Sequence, residues 1–301
     1  TLIIDGIEGI LIANPTPEEL ATYLKKQSQY IEELEKIKAL KDEPARTLDG
    51  RNVHLVGNIA TPEEAKDVLE KGGDGIGLFR TEFLYLNRDE LPSEDDQFKA
   101  YKEVAEVMGD RPCIIRTLDI GGDKQSALIN MPKEENPFLG YRAIRICLNE
   151  RDMFKTQLRA ILRASAYGNL KIMFPMISCL EELREAKQIL NDAMTELDAR
   201  NVPFNRDIQV GIMIEVPSAA LAADILAQEA DFFSIGTNDL CQYTLAVDRM
   251  NERISSLYNP LNIGVLRLIK RVIDSAHEYG IKVGMCGEMA SDRNLIPLLL
   301  A

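Results

Sequence analysis

The sequence has few of the residues that build soft-metal sites. It carries two histidines, His54 and His277, far apart in the chain. Its five cysteines, Cys113, Cys147, Cys179, Cys241 and Cys286, form no CxxC pair. A structural zinc site draws four such ligands at short spacings, so that chemistry is disfavoured. Scattered, unpaired cysteines in a chain of this size point to a reducing compartment. Positive charge is also in deficit, with 35 Lys and Arg against 48 Asp and Glu and a formal net charge of -13. That argues against wrapping nucleic acid or lying on an anionic membrane. A small anionic substrate remains open, because a local arginine cluster can override the global charge. No apolar run approaches the roughly 20 residues of a membrane helix, and the closing LIPLLLA is far too short. No GxGxxG follows a first strand, which weakens a doubly wound open sheet. No signal-peptide pattern opens the chain, so the expected location is the cytoplasm. Residue 1 is Thr and leads straight into an apolar run, so a piece of a longer chain is expected.

What is present is enough for a sizeable core: 301 residues, 46% of them hydrophobic. Residues 1–15 read as a hairpin, two apolar runs around Gly6 and Gly9. Residues 16–50 read as a linker helix and loop. Thr16 is the expected N-cap, Pro17 the first helical residue, and Glu19 the partner in a capping box. Leu20, Leu24, Ile31 and Leu34 make one apolar stripe, and the charges opposite read as a solvated face. From Arg51 the rhythm changes. Apolar runs at 53–60, 75–82, 113–120, 171–176, 209–215, 232–239 and 282–288 alternate with helical stretches, the pattern of parallel strands buried on both faces. Thr61 with Glu64, and Ser178 with Glu181, are expected to cap helices. Gly72-Gly73 and Gly280 are expected to end them. The predicted fold is therefore α/β, a (β/α)8 TIM-type barrel over 51–301. It is preceded by the linker helix and hairpin, and its eighth unit is truncated.

Each predicted strand ends in polar residues, and in a parallel barrel those ends share the face where active sites sit. Glu215 and Asp239 lie at the ends of strands adjacent in sequence order. They either hold Mg2+, which takes one or two carboxylates plus water and substrate oxygens, or serve as N-cap and salt-bridge acids. Arg80, Arg116, Arg142 and Arg249 either grip phosphate or carboxylate oxygens or pair with the surplus acids. Arg142 and Arg145, three apart, are expected on one helix face. Cys286 is either a small buried cysteine or a proton donor at the mouth of the site. Lys124, after a Gly-Gly turn, is a phosphate contact or an exposed loop residue. His54 and His277 read as structural.

Six stretches occur in order: RTEFL (80–84), RTLDIGGDK (116–124), ENPFLGYRAIR (135–145), MIEVPSAA (213–220), FFSIGTNDLCQYTLAVDR (232–249) and GMCGE (284–288). Together they resemble the phosphoenolpyruvate-binding C-terminal domain of enzyme I of the bacterial phosphoenolpyruvate:sugar phosphotransferase system. The opening DGIEGILIANPTPEE is similar to the last hairpin of that family's phosphohistidine domain and the start of its linker helix. The resemblance implies that Glu215 and Asp239 ligate Mg2+. It implies that Arg80, Arg116 and Arg249 hold phosphate with Lys124 nearby, and that Asn238 and Arg142 contact substrate. It implies that Cys286 protonates the methylene carbon as enolpyruvate leaves. Implied partners are phosphoenolpyruvate, the protein's own N-terminal phosphohistidine domain, the histidine phosphocarrier protein reached through it, and a second copy in a homodimer. Cys241 departs from the Thr that many members carry after Asp-Leu. The phosphate-accepting histidine belongs to the N-terminal domain, and neither His54 nor His277 lies in its motif. The chain is accordingly expected to bind substrate without completing transfer. Rival readings are pyruvate phosphate dikinase or phosphoenolpyruvate synthase, a Mg2+-dependent lyase acting on pyruvate enolate, and a non-enzymatic dimerisation module.

Overall fold

A computed structural model of the chain describes every residue except 87, 123–128, 130, 132 and 301. It divides into two compact units, Thr1–Val53 and His54–Ala301.

In the first unit, β1 (Leu2–Asp5) and β2 (Ile10–Ala13) form an antiparallel hairpin with Leu2 opposite Ala13. Asp5 Oδ1 accepts hydrogen bonds from the backbone N–H of Ile7 and Glu8, both 3.0 Å, which closes the turn. Helix α1 (Pro17–Ala39) begins with the expected capping box. Thr16 Oγ1 accepts from Glu19 N at 3.2 Å, and Glu19 Oε2 accepts from Thr16 N at 2.7 Å. None of the helix residues is buried, and Leu24, Ile31 and Leu34 of the apolar stripe stay exposed.

In the second unit, seven strands form one parallel sheet in chain order. They are β3 (Val56–Ile59), β4 (Gly75–Arg80), β5 (Cys113–Arg116), β6 (Leu170–Phe174), β7 (Val210–Ile214), β8 (Phe232–Ile235) and β9 (Lys282–Met285). Helices α2 (Glu64–Glu70), α3 (Glu94–Met108), α4 (Ile144–Asn149), α5 (Arg151–Ala164), α6 (Leu180–Ala199), α7 (Pro217–Leu221), α8 (Ala223–Leu226), α9 (Thr237–Leu245) and α10 (Ile263–Glu278) lie between them. A last short helix, α11 (Ile296–Leu300), follows β9. The sheet is curled: Asn58 Nδ2, on β3, donates to the carbonyl of Cys286, just past β9, at 3.0 Å. This is the barrel architecture expected from the alternating pattern, seen here as seven parallel strands.

The strands alternate as a two-faced parallel sheet requires. On β7, Ile212 and Ile214 join the core beneath the helices, while Met213 points inward to a smaller cluster with Leu78, Met173 and Phe232. The central strands β7 and β8 are buried throughout. The sheet edges β3 and β9 are not, because each has a strand on one side only.

Two caps differ in detail from the expectation. Glu182, not Glu181, reaches back to Ser178, accepting from its N at 2.6 Å and its Oγ at 2.9 Å. The second also departs: at α2, Glu64 accepts from the backbone N–H of Ala60 and Thr61, but Thr61 gives no side-chain cap. Gly72 and Gly280 follow α2 and α10 with positive φ, as helix-ending glycines do. No helix among the described residues is long and apolar enough to cross a membrane.

Candidate functional site

The C-terminal ends of the strands open into one cavity of about 530 Å³. Arg80, Arg116, Arg142, Glu215, Asn238, Asp239, Arg249 and Cys286 all line it. Lys124 lies outside the described residues. His54 is exposed beside Asp74, and His277 sits in the last turn of α10, so neither lines the cavity.

The backbone explains how distant residues meet. Arg80 and Arg116 are the last residues of β4 and β5 and pair directly in register. Glu215 follows β7, Cys286 follows β9, and Asn238 and Asp239 occupy the first turn of α9. Arg142 precedes α4 rather than riding on it, so the expected shared helix face with Arg145 does not form. Arg145 instead donates to the carbonyls of Leu139 and Gly140, both at 2.9 Å. Arg142 is seated by Gly121, whose φ is +120°. A Cβ there would fall 2.2 Å from the Cβ of Arg142. Non-glycine residues with positive φ include Ala143 and Met176, beside Arg142 and the donor to Glu215. Such backbone costs about 1–3 kcal/mol each and persists only where packing over-determines it.

Among the described residues the cavity is balanced internally: four arginines meet four carboxylates, Asp119, Glu215, Asp239 and Glu288. Arg116 pairs with Asp119 at 2.8 Å and, behind the cavity, with the fully buried Glu82 at 2.9 Å. Arg142 pairs with Asp119 at 3.0 Å and Asp239 at 3.1 Å. Arg249 faces Asp239 at 3.2 Å. Burial opposes the charge of Arg116, but Asp119, Glu82 and Glu215 outweigh it and hold the guanidinium protonated. The same holds for Arg142, through Asp119 and Asp239. Arg80 is different. Its Nε is buried without a hydrogen-bond partner, and it has no ion-pair partner among the described residues. It lies over the Phe83 ring at 5.2 Å.

Glu215 is 3% exposed. Its Oε1 accepts from Met176 N at 2.7 Å, and no arginine pairs with it among the described residues. Burial, then the nearby charges of Asp239 and Asp119, push its carboxyl up to about 8, although Arg116 and Arg142 pull the other way. A carboxylate so placed is short of positive charge, and a hard divalent cation beside it would supply that charge. The donor set fits such a cation: two oxygen ligands, with no cluster of three or more His, Cys, Asp or Glu among the described residues. Water and substrate oxygens would complete a shell of that kind. Asp239 meanwhile serves as an ion-pair acid, so both readings of that residue have a physical basis.

The Cys286 thiol is pushed up to about 11, chiefly by burial and then by Glu215. It therefore carries its proton at neutral pH. Asn238 is held in place from β9's side: its Oδ1 accepts from Glu288 N at 2.9 Å and its Nδ2 donates to Glu288 Oε1 at 3.2 Å.

Several residues of this site give no sequence signal of their own. Tyr243 accepts from Arg142 at 2.9 Å and donates to the Phe138 carbonyl. Phe138 lies 5.7 Å beneath the Arg142 guanidinium. Glu82 and Asp119 were visible in RTEFL and RTLD, yet only the fold shows that they clamp Arg116.

Residues 34–301 match the family described as PEP-utilising enzyme, PEP-binding domain. Curated phosphoenolpyruvate-protein phosphotransferases from Priestia megaterium and Staphylococcus aureus are 55% and 53% identical to the chain over 299 residues. Each of those alignments covers 99% of this chain and 52% of the relative. The corresponding protein of Geobacillus stearothermophilus is 56% identical over 300 residues, covering 100% of the chain and 52% of the relative. The chain thus spans about half the length of the curated relatives it matches. With that match across the whole sheet and its cavity, the chain belongs to the PEP-utilising enzyme family and carries its PEP-binding domain.

Proposed function

We propose that the cavity binds phosphoenolpyruvate with Mg2+, as the substrate-binding part of a phosphoenolpyruvate-protein phosphotransferase. The observation that carries this reading is the meeting, in one cavity, of four arginines, the two carboxylates Glu215 and Asp239, and a protonated thiol. Phosphoryl transfer needs positioning and charge neutralisation more than covalent help, and this set provides both.

Arg80 and Arg116, adjacent in register, grip the phosphate oxygens together with Arg249. Arg142 and Asn238 orient the rest of the substrate. Glu215 and Asp239 would hold Mg2+, which would supply fixed positive charge to offset that of the substrate. Arg249 and Arg142 then exchange part of their pairing with Asp239 for the incoming anion. In the transfer, a histidine nitrogen bonds to phosphorus as the bond from phosphorus to the enol oxygen breaks. The electron pair leaves on that oxygen, and the methylene carbon takes a proton from Cys286 Sγ to give pyruvate. The thiolate regains its proton from solvent. The accepting histidine belongs to an N-terminal phosphohistidine domain, of which residues 1–15 are the last hairpin and 16–50 the linker. From there the phosphoryl group passes to a histidine phosphocarrier protein and on to sugar uptake. On this reading the protein is a cytoplasmic homodimer.

Calorimetry with phosphoenolpyruvate, with and without Mg2+, tests the proposal. Saturable heat that strengthens with Mg2+ is expected, and equal, negligible heats overturn it. Arg80→Ala is a cleaner probe than Arg116→Ala, because it strands no buried acid. It should weaken binding roughly tenfold to a hundredfold, the cost of one lost charge-assisted hydrogen bond, with the melting temperature unchanged.

A further inference from the structure

We infer that Gln157, on the outer helix α5, is a positioning residue that sets the strand end presenting Arg116 and Asp119. This rests on the reading that the cavity binds phosphoenolpyruvate.

Gln157 interrupts the apolar face of α5, among Phe154, Leu158, Ile161 and Leu162, and is 1% exposed. A buried amide there costs free energy unless its groups are satisfied. All of them are. Its Nε2 donates to Thr81 Oγ1 at 3.0 Å and to Tyr101 Oη at 3.2 Å. Its Oε1 accepts from the backbone N–H of Leu118 at 2.9 Å.

The orientation of the amide is over-determined. Thr81 has one hydroxyl proton, and it goes to the Arg116 carbonyl at 2.8 Å. Thr81 must therefore accept from Gln157, which turns Nε2 toward Thr81 and Oε1 toward Leu118. On the other side, Tyr101 donates onward to Gln97 Oε1 at 3.1 Å, as does Tyr85, also at 3.1 Å. Gln97 Nε2 donates to the Pro92 carbonyl at 3.2 Å, where the chain of bonds ends on backbone.

The consequence falls on β5. Gln157 holds the carbonyl of Arg116, through Thr81, and the N–H of Leu118 directly, so it clamps the backbone on both sides of Thr117. That is the point where β5 stops and the side chains of Arg116 and Asp119 turn into the cavity. Asp119 in turn spaces Arg116 from Arg142. A slip of this turn would move two of the four arginines relative to the phosphate.

The test uses the full-length protein, with calorimetry for phosphoenolpyruvate plus Mg2+, steady-state release of pyruvate, and thermal melts. Gln157→Leu and Thr81→Val each break the bridge and should weaken substrate binding and raise KM by about tenfold, with a smaller change in kcat. The double variant should bind no more weakly than the weaker single, within about twofold, because both changes cut the same bridge. Thr81→Ser keeps the hydroxyl and should restore wild-type binding. If Gln157→Leu does not fold, the Thr81→Val and Thr81→Ser pair decides. Folded variants that bind like wild type overturn the positioning role and leave the proposed function standing. So does weak binding by Thr81→Ser equal to that of Thr81→Val. A wild-type protein that binds no phosphoenolpyruvate overturns the proposed function beneath it.

Discussion

Cys286 packs against the inward-facing cluster of Leu78, Met173, Met213 and Phe232, and burial there lifts its thiol to about 11. Its backbone is pinned on both sides, N–H to the Ile235 carbonyl at 3.1 Å and carbonyl to Asn58 Nδ2 at 3.0 Å. A thiol that keeps its proton is a poor nucleophile but a usable acid. In the full-length protein, Cys286→Ala should leave phosphoenolpyruvate affinity within about twofold of wild type while slowing pyruvate release on the order of a hundredfold or more. Normal turnover would remove the thiol from the mechanism. Independently of turnover, the alkylation rate of Cys286 by iodoacetamide, followed by peptide mass spectrometry, should keep rising through pH 10. A plateau below pH 9 would contradict the burial argument.

Elements meet at this site with little clearance. Gly287, between Cys286 and Glu288, lies against the start of α9: a Cβ there would sit 1.9 Å from Thr237 Oγ1 and 2.7 Å from Thr237 N. The second atom is backbone, so no rotamer change relieves it. Gly287→Ala should therefore destabilise the second unit by about 1–3 kcal/mol in urea unfolding, with both Asn238 and Cys286 displaced. Wild-type stability would mean that the helix start has room to retreat. The helix ends behave more simply. Ser93 and Asp96 form a full capping box at α3, a device of the same kind as Thr16 with Glu19. It is readable from a Ser three residues ahead of an acid. The cap expected at Ser178 is shifted by one residue, because Cys179 rather than Ser178 precedes the first helical turn and Glu182 is the acid that reaches back.

For the molecule as a whole, the pH dependence of stability isolates Glu215. Its carboxyl is raised in the folded state to about 8, so across the interval from the usual carboxylate range to about 8 the folded chain holds a proton that the unfolded chain has released. Stability should accordingly be greatest near the acidic end of that interval and fall as pH rises through it. Glu94, where burial is outweighed by Arg159 and Arg163, and Glu196, held low by Lys155, contribute in the opposite sense but only at lower pH. Urea unfolding in chelator at pH 5.5 and 8.5 checks this, and Mg2+ at the higher pH should recover the loss. A flat profile would mean that Glu215 is better neutralised than its surroundings indicate. Periodicity, caps and helix-ending glycines were enough to place seven parallel strands and their order, since each is a local consequence of side-chain spacing. Arg80, Arg116 and Glu215 were legible for a related reason: a charged residue closing a buried apolar strand has no stable place except a shared polar face. What local chemistry could not determine was pairing. Whether Asp239 meets Arg142, which acid lies behind Arg116, and how Gln157 reaches Thr81 and Leu118 are settled by contacts between residues at least 34 positions apart. Only the curled sheet brings those partners within hydrogen-bond distance.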